Sequence, residues 1–401
     1  MRSRLPVIFI VATILIDGIG AGLIFPVLPD LILEVTGKTL SEAAVWGGVL
    51  ATGYAVMQFV FGPIVGNLSD RYGRKPILIA ALFVLAIDYI IMALAGSIWL
   101  LLLGRVIAGL MAATYSTASA FMADISKPHE RERMLGIVGG AMGVGFALGP
   151  VIGGLLAGID TRAPFWVAGA MALANGIFGL LVMPETLPKN KRRAFSLSRA
   201  NPLAALKSIS ALGGVRALLM VFFLYQVALF VYPAIWAFFG REQFDFSTRD
   251  IGLTLFVFGV SMGVSQAVLV GPIVDRFGPY KTAMCGMVLE LVIFTTFAVL
   301  TQSWIVWIFV ALSGLGSIVM PALQGIMSRA ASDDQQGELQ GVLGSIAALA
   351  TIISPLVMTM TFAYFSRSDA AVYLPGAPFI LSAILIAACG VILVRWRKQT
   401  H

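Results

Sequence analysis

The chain has 401 residues, 59% of them apolar and 12% charged, and a formal net charge of +7; its mean hydropathy is +0.94. Soluble domains carry about 45–50% apolar and about 25% charged residues, so a water-soluble chain could not hide this much apolar surface, and an all-α polytopic membrane protein is implied. The only cysteines, Cys285 and Cys389, both lie in apolar runs, where no structural disulfide is expected.

The chain opens on Met1-Arg2-Ser3-Arg4 and enters an apolar run that passes Pro26, carries Asp17 and has no clear small-residue cleavage site. That pattern predicts a retained first span rather than a signal peptide. Further runs long enough to cross a bilayer follow. The set is 6–28, 45–67, 76–96, 98–121, 134–157, 163–183, 215–239, 250–272, 281–301, 303–327, 338–364 and 372–394, about twelve helices. The longest polar stretch, Pro184 to Gly214, separates the sixth from the seventh and holds Lys189, Lys191, Arg192, Arg193, Arg199 and Lys207. Within it Asn201-Pro202 can start a short amphipathic helix with Leu203, Leu206 and Ile209 on one face. The expected organisation is a six-helix bundle over 1–184, a linker over 185–214 and a second six-helix bundle over 215–401.

The basic residues report topology. With both termini cytoplasmic, the inside segments collect Arg2, Arg4, Arg71, Arg74, Lys75, Lys127, Arg131, Arg133, the linker cations, Arg276, Lys281, Arg329, Arg395, Arg397 and Lys398. The outside loops hold Lys38, Arg162, Arg241, Arg249 and Arg367. That asymmetry follows the positive-inside rule and accounts for the basic pI without a nucleic-acid partner.

The turn Gly66-Asn67-Leu68-Ser69-Asp70-Arg71-Tyr72-Gly73-Arg74-Lys75 returns in altered form as Gly271 to Lys281, with Asp70 repeated as Asp275, an offset of 205 positions (275 − 70). Trp99 and Trp304, Gly109 and Gly314, Gly136 and Gly341, and Pro150 and Pro355 share the same offset. Landmarks from separate places with one spacing indicate duplication, and two parallel six-helix halves are the plan of a rocking transporter with its site between the halves.

The resemblance to a family rests on several of these stretches. Gly66 to Lys75 resembles the signature loop of the major facilitator superfamily, Gly104-Arg105 with Gly109 its second signature, and Gly145 to Gly154 the fifth-span signature of its proton-driven antiporters. Asp17 to Pro29, Leu85 to Tyr89 and Pro321 to Ser328 resemble tetracycline efflux pumps, and the likeness covers nearly the whole chain. It implies drug export in exchange for protons by alternating access, across a bacterial inner membrane. It also implies no cofactor beyond the proton gradient, and the bilayer as surroundings of a monomer. Met262 falls where some tetracycline pumps carry a histidine, and His129 and His401 lie outside the spans; cargo arriving as a divalent-metal chelate stays open.

Asp17, Asp88 and Glu290 lie inside apolar runs. A charge at the bilayer centre costs about 2.5–3.5 kcal/mol on insertion scales and marks an ion or substrate path; the bland alternative is a buried acid bonded to backbone. In the resembled pumps, acids at these spans handle protons and substrate; the relatives usually have Asp where this chain has Glu290. Arg105 keeps its charge and can pair with one of these acids, structurally or to tune it. Gly145, Gly149 and Gly153, with Ala141 and Ala157, form a stripe at i+4 spacing that suits tight helix packing. Pro150 can bend that helix, and gating would be a consequence of the seam. Gly66, Asp70, Arg71, Gly73, Arg74 and Lys75 read either as topology determinants in a tight turn or, by the resemblance, as a charge latch between the halves. In the latch, Arg71 or Arg74 would pair with Asp124 or Glu130. Gln58, Tyr115, Gln226, Tyr232, Trp236, Met262, Gln266 and Gln324 are candidate substrate contacts, with interfacial anchoring as the plain alternative for the aromatics.

No enzyme signature stands. Gly143-Val144-Gly145 lies in an apolar helix with no strand before it, and neither a phosphate loop nor zinc-type His/Cys spacing is present. Alternatives to drug:proton antiport are the same scaffold carrying a sugar, metabolite or lipid, and an intramembrane enzyme or sensor built on Asp17 and Asp88.

Overall fold

In lipid, a spanning segment must satisfy its own backbone hydrogen bonds, and the helix does so within one segment. The structure, a computed structural model, describes residues 5–196, 201–202, 215–332 and 335–400, and its long elements are all helices. They are α1 (Leu5–Thr36), α2 (Leu40–Tyr72), α3 (Arg74–Leu94), α4 (Ile98–Leu110), α5 (Thr114–Ile125), α6 (Arg131–Ala157), α7 (Ala163–Val182), α8 (Arg216–Leu229), α9 (Val231–Phe244), α10 (Thr248–Val264), α11 (Val270–Val299), α12 (Ser303–Gly316), α13 (Val319–Ala330), α14 (Gln336–Phe365) and α15 (Ala377–Thr400). Among the described residues eleven helical stretches are long and apolar enough to span. One of them, Thr248–Val299, has 52 residues and is interrupted at Gly278, whose φ of 76° is non-helical, so it supplies two spans and the total is twelve. The short helix expected at Asn201-Pro202 lies, from Leu203 on, outside the described residues.

Three expected continuous spans are broken. The fourth parts at Met111–Ala113 between α4 and α5, and the tenth at Ser317 and Ile318 between α12 and α13. These are equivalent places under the 205-residue repeat. The seventh parts at Phe230, between α8 and α9. A single π-helical turn, Ser265–Leu269, interrupts the eighth. Pro150 leaves α6 unbroken; its missing donor costs one bond in a helix held by close neighbours, described below.

Two compact units emerge. The first comprises Met1–Gly37, Gly53–Pro202 and Thr248–Leu253; the second comprises Lys38–Thr52, Leu203–Ser247 and Thr254–His401. The short exchanged stretches are held by specific contacts. Thr248 Oγ1 donates to Asp30 at 2.6 Å, and Gly252 lies against the Pro150 carbonyl, both within the first unit. Thr52 Oγ1 donates to the Ile352 carbonyl at 2.9 Å, and Gly48 lies against Thr359 and the Pro355 carbonyl, both within the second. Pro150 and Pro355, one repeat apart, play matching parts.

The first unit's core gathers Phe9, Ile10 and Ile14 of α1, Leu78 and Leu82 of α3, Ala118, Phe121 and Met122 of α5 and Val138 of α6. The second is richer in rings. Tyr232, Trp236, Phe239, Phe294, Phe297 and Phe379 pack with ring centroids 4.9–6.3 Å apart, spacings at which offset and edge contacts add to area burial.

Candidate functional site

In the first unit, α3 and α4 bring Asp88 and Arg105 together. Asp88 is fully buried, and its Oδ2 accepts from the Arg105 guanidinium. Gly104 permits this meeting, since a Cβ there would stand 2.9 Å from Asp88 Oδ1. The pairing makes a buried charge tolerable, because an isolated one would be far more costly. It is incomplete: Asp88 Oδ1 and Arg105 Nε have no partner among the described residues. The Arg105 guanidinium also lies 5.8 Å from the Tyr54 ring centroid on α2, within cation–π range. Asp17 on α1 is half-buried and within electrostatic reach of Tyr54 and Tyr89. One turn along α1, Gly20 makes room for the Tyr89 hydroxyl. Asp17, Tyr54, Tyr89, Asp88 and Arg105 thus form one polar cluster between α1, α2, α3 and α4.

Among the described residues the second unit has one buried acid, Glu290 on α11, 3% exposed. Tyr225 Oη donates to its Oε1 at 2.7 Å; its Oε2 is buried without a protein partner among the described residues. Gly316 at the end of α12 admits the carboxylate, with its added Cβ 2.8 Å from Oε1. The position one repeat after Arg105 is Val310, buried at 2% exposure, so Glu290 has a phenol where Asp88 has a cation.

The α1–α6 seam follows the predicted small-residue stripe. Cβ atoms on Gly145, Gly149 and Gly153 would run into the backbone of α1 at Leu15, Ile19 and Leu23, and those on Gly18 and Gly22 into α6 at Met142 and Phe146. Backbones this close require glycine on both sides, as in other small-residue helix contacts. Gly154 faces elsewhere, toward Thr248 and Arg249 at the start of α10.

At the α2–α3 turn, Arg74 bonds Asp70 at 2.7 Å, Asp124 at 3.3 Å and Ser69 at 3.2 Å. Of the pairs expected there, Arg74–Asp124 forms. Arg71 is exposed and stacks over Tyr72, and Glu130 lies 3.8 Å from His129. Gly73 has φ 110° and ψ 165°, a positive-φ conformation that glycine alone adopts freely, extended rather than left-handed helical. Glu185 completes the turn: its carboxylate accepts from the amides of Arg74 at 2.9 Å, Lys75 at 3.3 Å and Leu187 at 2.9 Å. It satisfies the first free N–H groups of α3, where negative charge is favoured. Lys75 Nζ donates to the Leu180 carbonyl at 3.0 Å. Gly66 has open space around its Cβ position.

The remaining candidates are scattered. Gln58 Nε2 donates to the Ala112 carbonyl at 3.2 Å, just where α4 breaks. Gly109 and Gly314, one repeat apart, bring the fourth-span and tenth-span helices against Met57 and Met262 respectively, each within its own unit. Tyr232 and Trp236 are buried and already bonded, to Ser313 at 3.0 Å and Thr254 at 2.9 Å. Gln226 is half-buried; Tyr115, Gln266 and Gln324 are exposed. Sequence reasoning missed Tyr54, Tyr89, Tyr225 and Glu185. The three tyrosines sit within apolar runs, where a phenol reads as packing. Glu185 follows a span end, where an acid reads as a solvated flank. Among the described residues no group of three or more His, Cys, Asp or Glu side chains is placed to hold a metal.

Known proteins agree with this architecture. The Major Facilitator Superfamily profile matches residues 10–247 and 218–401. The class C tetracycline resistance protein of Escherichia coli is 37% identical over the whole of both chains. The class G protein of Vibrio anguillarum is 38% identical over 95% of each. Among solved structures, the human organic anion transporter MFSD10 aligns with TM-score 0.69 and 23% identity over 98% of this chain and 100% of its own. A D-xylose–proton symporter aligns with TM-score 0.75 and 17% identity over 98% and 97%. The buried acids, the glycine seam and the twelve spans therefore sit in a multi-pass membrane transporter, not an enzyme, and the chain belongs to the major facilitator superfamily, among its tetracycline efflux proteins.

Proposed function

We propose that this transporter exports tetracycline-type amphipathic drugs in exchange for protons entering the cell, by alternating access. The observation that carries the reading is the pair of buried acid sites, one per unit. Asp88 is matched by Arg105 with Asp17 nearby, and Glu290 is matched by the Tyr225 phenol. A charged carboxylate in such surroundings needs a partner. A proton and a cationic cargo group therefore compete for it, and that competition is the simplest form of exchange. Arg105 stays charged and holds Asp88 in its ionised form while Asp17 and Glu290 load and unload. Gln58, Gln226, Met262, Gln266, Gln324 and Tyr115 are the candidate polar and soft contacts for the cargo, with Tyr232 and Trp236, whose polar atoms are bonded to Ser313 and Thr254, as candidate ring contacts.

The gradient is the only energy source the reading requires. The protein acts as a monomer in the bacterial inner membrane with both termini cytoplasmic, supported by the Lys/Arg asymmetry. The Gly66–Lys75 turn then lies on the cytoplasmic side as a charge latch centred on Arg74. The likeness to tetracycline resistance proteins supports the cargo, carried free or as a divalent-metal chelate.

Everted vesicles test this directly. Tetracycline should drive proton release from energised vesicles, an uncoupler should abolish drug uptake, and Asp17→Asn and Asp88→Asn should each lose both. Uptake that persists with the uncoupler would remove proton coupling. A host whose sensitivity to every drug class is unchanged would redirect the reading to another small solute.

A further inference from the structure

A cleft of about 580 Å³ opens where the start of α3 meets the end of α7, between Lys75, Phe83, Leu180 and Arg192. Its wall and its rim differ in chemistry. Pro76, Ile79, Ala80 and Phe83 recur at i, i+3, i+4 and i+7, one apolar face of α3. Below them the outer faces of α3 and α7 remain apolar and exposed at Ile87, Ile177 and Leu181, as surfaces against acyl chains do. The rim is basic. Lys75 Nζ has the neutral Leu180 carbonyl as its hydrogen-bond acceptor. Arg192 Nε donates to the Leu187 carbonyl at 3.3 Å, and the guanidinium approaches Glu185 only to 4.0 Å. Lys189 and Lys191 follow in the adjoining turn and are exposed. Glu185, the one acid on the rim, is already engaged by three backbone amides.

The repeat sharpens the point. The residue 205 positions after Lys75 is Tyr280, and in the second unit the Arg397 guanidinium of α15 stacks on its ring at 4.1 Å. The second unit thus covers this position with its own side chain, while the first leaves an apolar trough beneath cations.

We propose that this cleft binds an anionic phospholipid, with the phosphate at Lys75 and Arg192 and one acyl chain along Pro76, Ile79, Ala80 and Phe83. A basic rim at a membrane surface attracts anionic headgroups, and the trough supplies the surface that a free anion would leave unused. The site is separate from the buried acids, and its occupancy does not depend on what the protein carries.

Native mass spectrometry of the purified full-length chain, titrated with phosphatidylglycerol or phosphatidylcholine, tests it. The wild type should retain phosphatidylglycerol in preference. Arg192→Gln, on the half-buried lip, should lower that preference about fivefold, and Lys75→Gln similarly. Ala80→Trp should block retention of the lipid with no change of charge. Arg329→Gln, a cation of the second unit, should leave binding as in wild type. Equal retention of both lipids by the wild type, or undiminished phosphatidylglycerol binding by Arg192→Gln, overturns the proposal. So does full displacement by glycerol phosphate, which would reduce the site to a headgroup anion pocket. Because the readout is lipid mass, failure here leaves the antiport reading standing, and loss of drug transport leaves this one standing.

Discussion

Replacing Gly149 with alanine tests the α1–α6 seam. An added Cβ would stand 2.5 Å from the Ile19 carbonyl oxygen, 2.8 Å from the Gly22 Cα and 2.9 Å from the Leu23 amide nitrogen. All three are backbone atoms on the facing helix, so no side chain can swing aside, and α1 and α6 must part. Overpacking of this kind costs about 1–3 kcal/mol, while a helix interior gains about 0.5–1 kcal/mol when glycine becomes alanine. The net expectation is a loss of up to about 2.5 kcal/mol, from the difference of those two ranges. Gly143 is the control on the same helix, because its Cβ position meets nothing within 4 Å, and Gly143→Ala should keep the propensity gain alone. Thermal melting of both variants in detergent, beside drug uptake into vesicles, separates them. Gly149→Ala should melt below wild type and Gly143→Ala at or above it. Equal melting temperatures for the two would show that the helices do not meet at Gly149, and the packing account of this signature would fall.

Other outcomes follow from the same contacts. Removing one member of the buried pair, by Arg105→Ala or Asp88→Ala, should cost about 3–5 kcal/mol. The Asp88→Asn/Arg105→Gln double variant should melt higher than either, as a double-mutant cycle would read. Tyr225→Phe should leave the fold intact but shift the pH profile of uptake, because Glu290 loses the donor to Oε1; an unchanged profile would place Glu290 outside coupling. Gly73→Ala should destabilise by about 1–3 kcal/mol through its positive φ and its collision with Glu185. Gly66→Ala in the same signature, inside α2 with nothing near its Cβ position, should melt at or slightly above wild type. Asp70→Asn should cut transport while the protein still inserts, since it removes an acceptor from Arg74; wild-type uptake by the inserted variant would count against a latch.

What the chain's order of residues determined is what depends on short range or on repetition. Hydropathy runs placed twelve spans, because each must close its own hydrogen bonds in lipid. The 205-residue offset placed the repeat, down to the positive-φ glycines Gly73 and Gly278. The spacing Gly145, Gly149, Gly153 announced a close helix contact, because one helix face is written at i+4. Packing decided the partners. Asp88 meets Arg105, while Glu290 meets Tyr225 from a different helix, and no spacing along the chain distinguishes those outcomes. The breaks at Met111–Ala113, Phe230 and Ser317 fall inside apolar runs that hydropathy reads as continuous; Pro233 and Pro321, which cannot donate to the carbonyls four residues earlier, mark two of them locally. Glu185 caps a helix that begins 111 positions earlier. A side chain's neighbours across helices are set by how whole helices cross, which is a property of all their faces together.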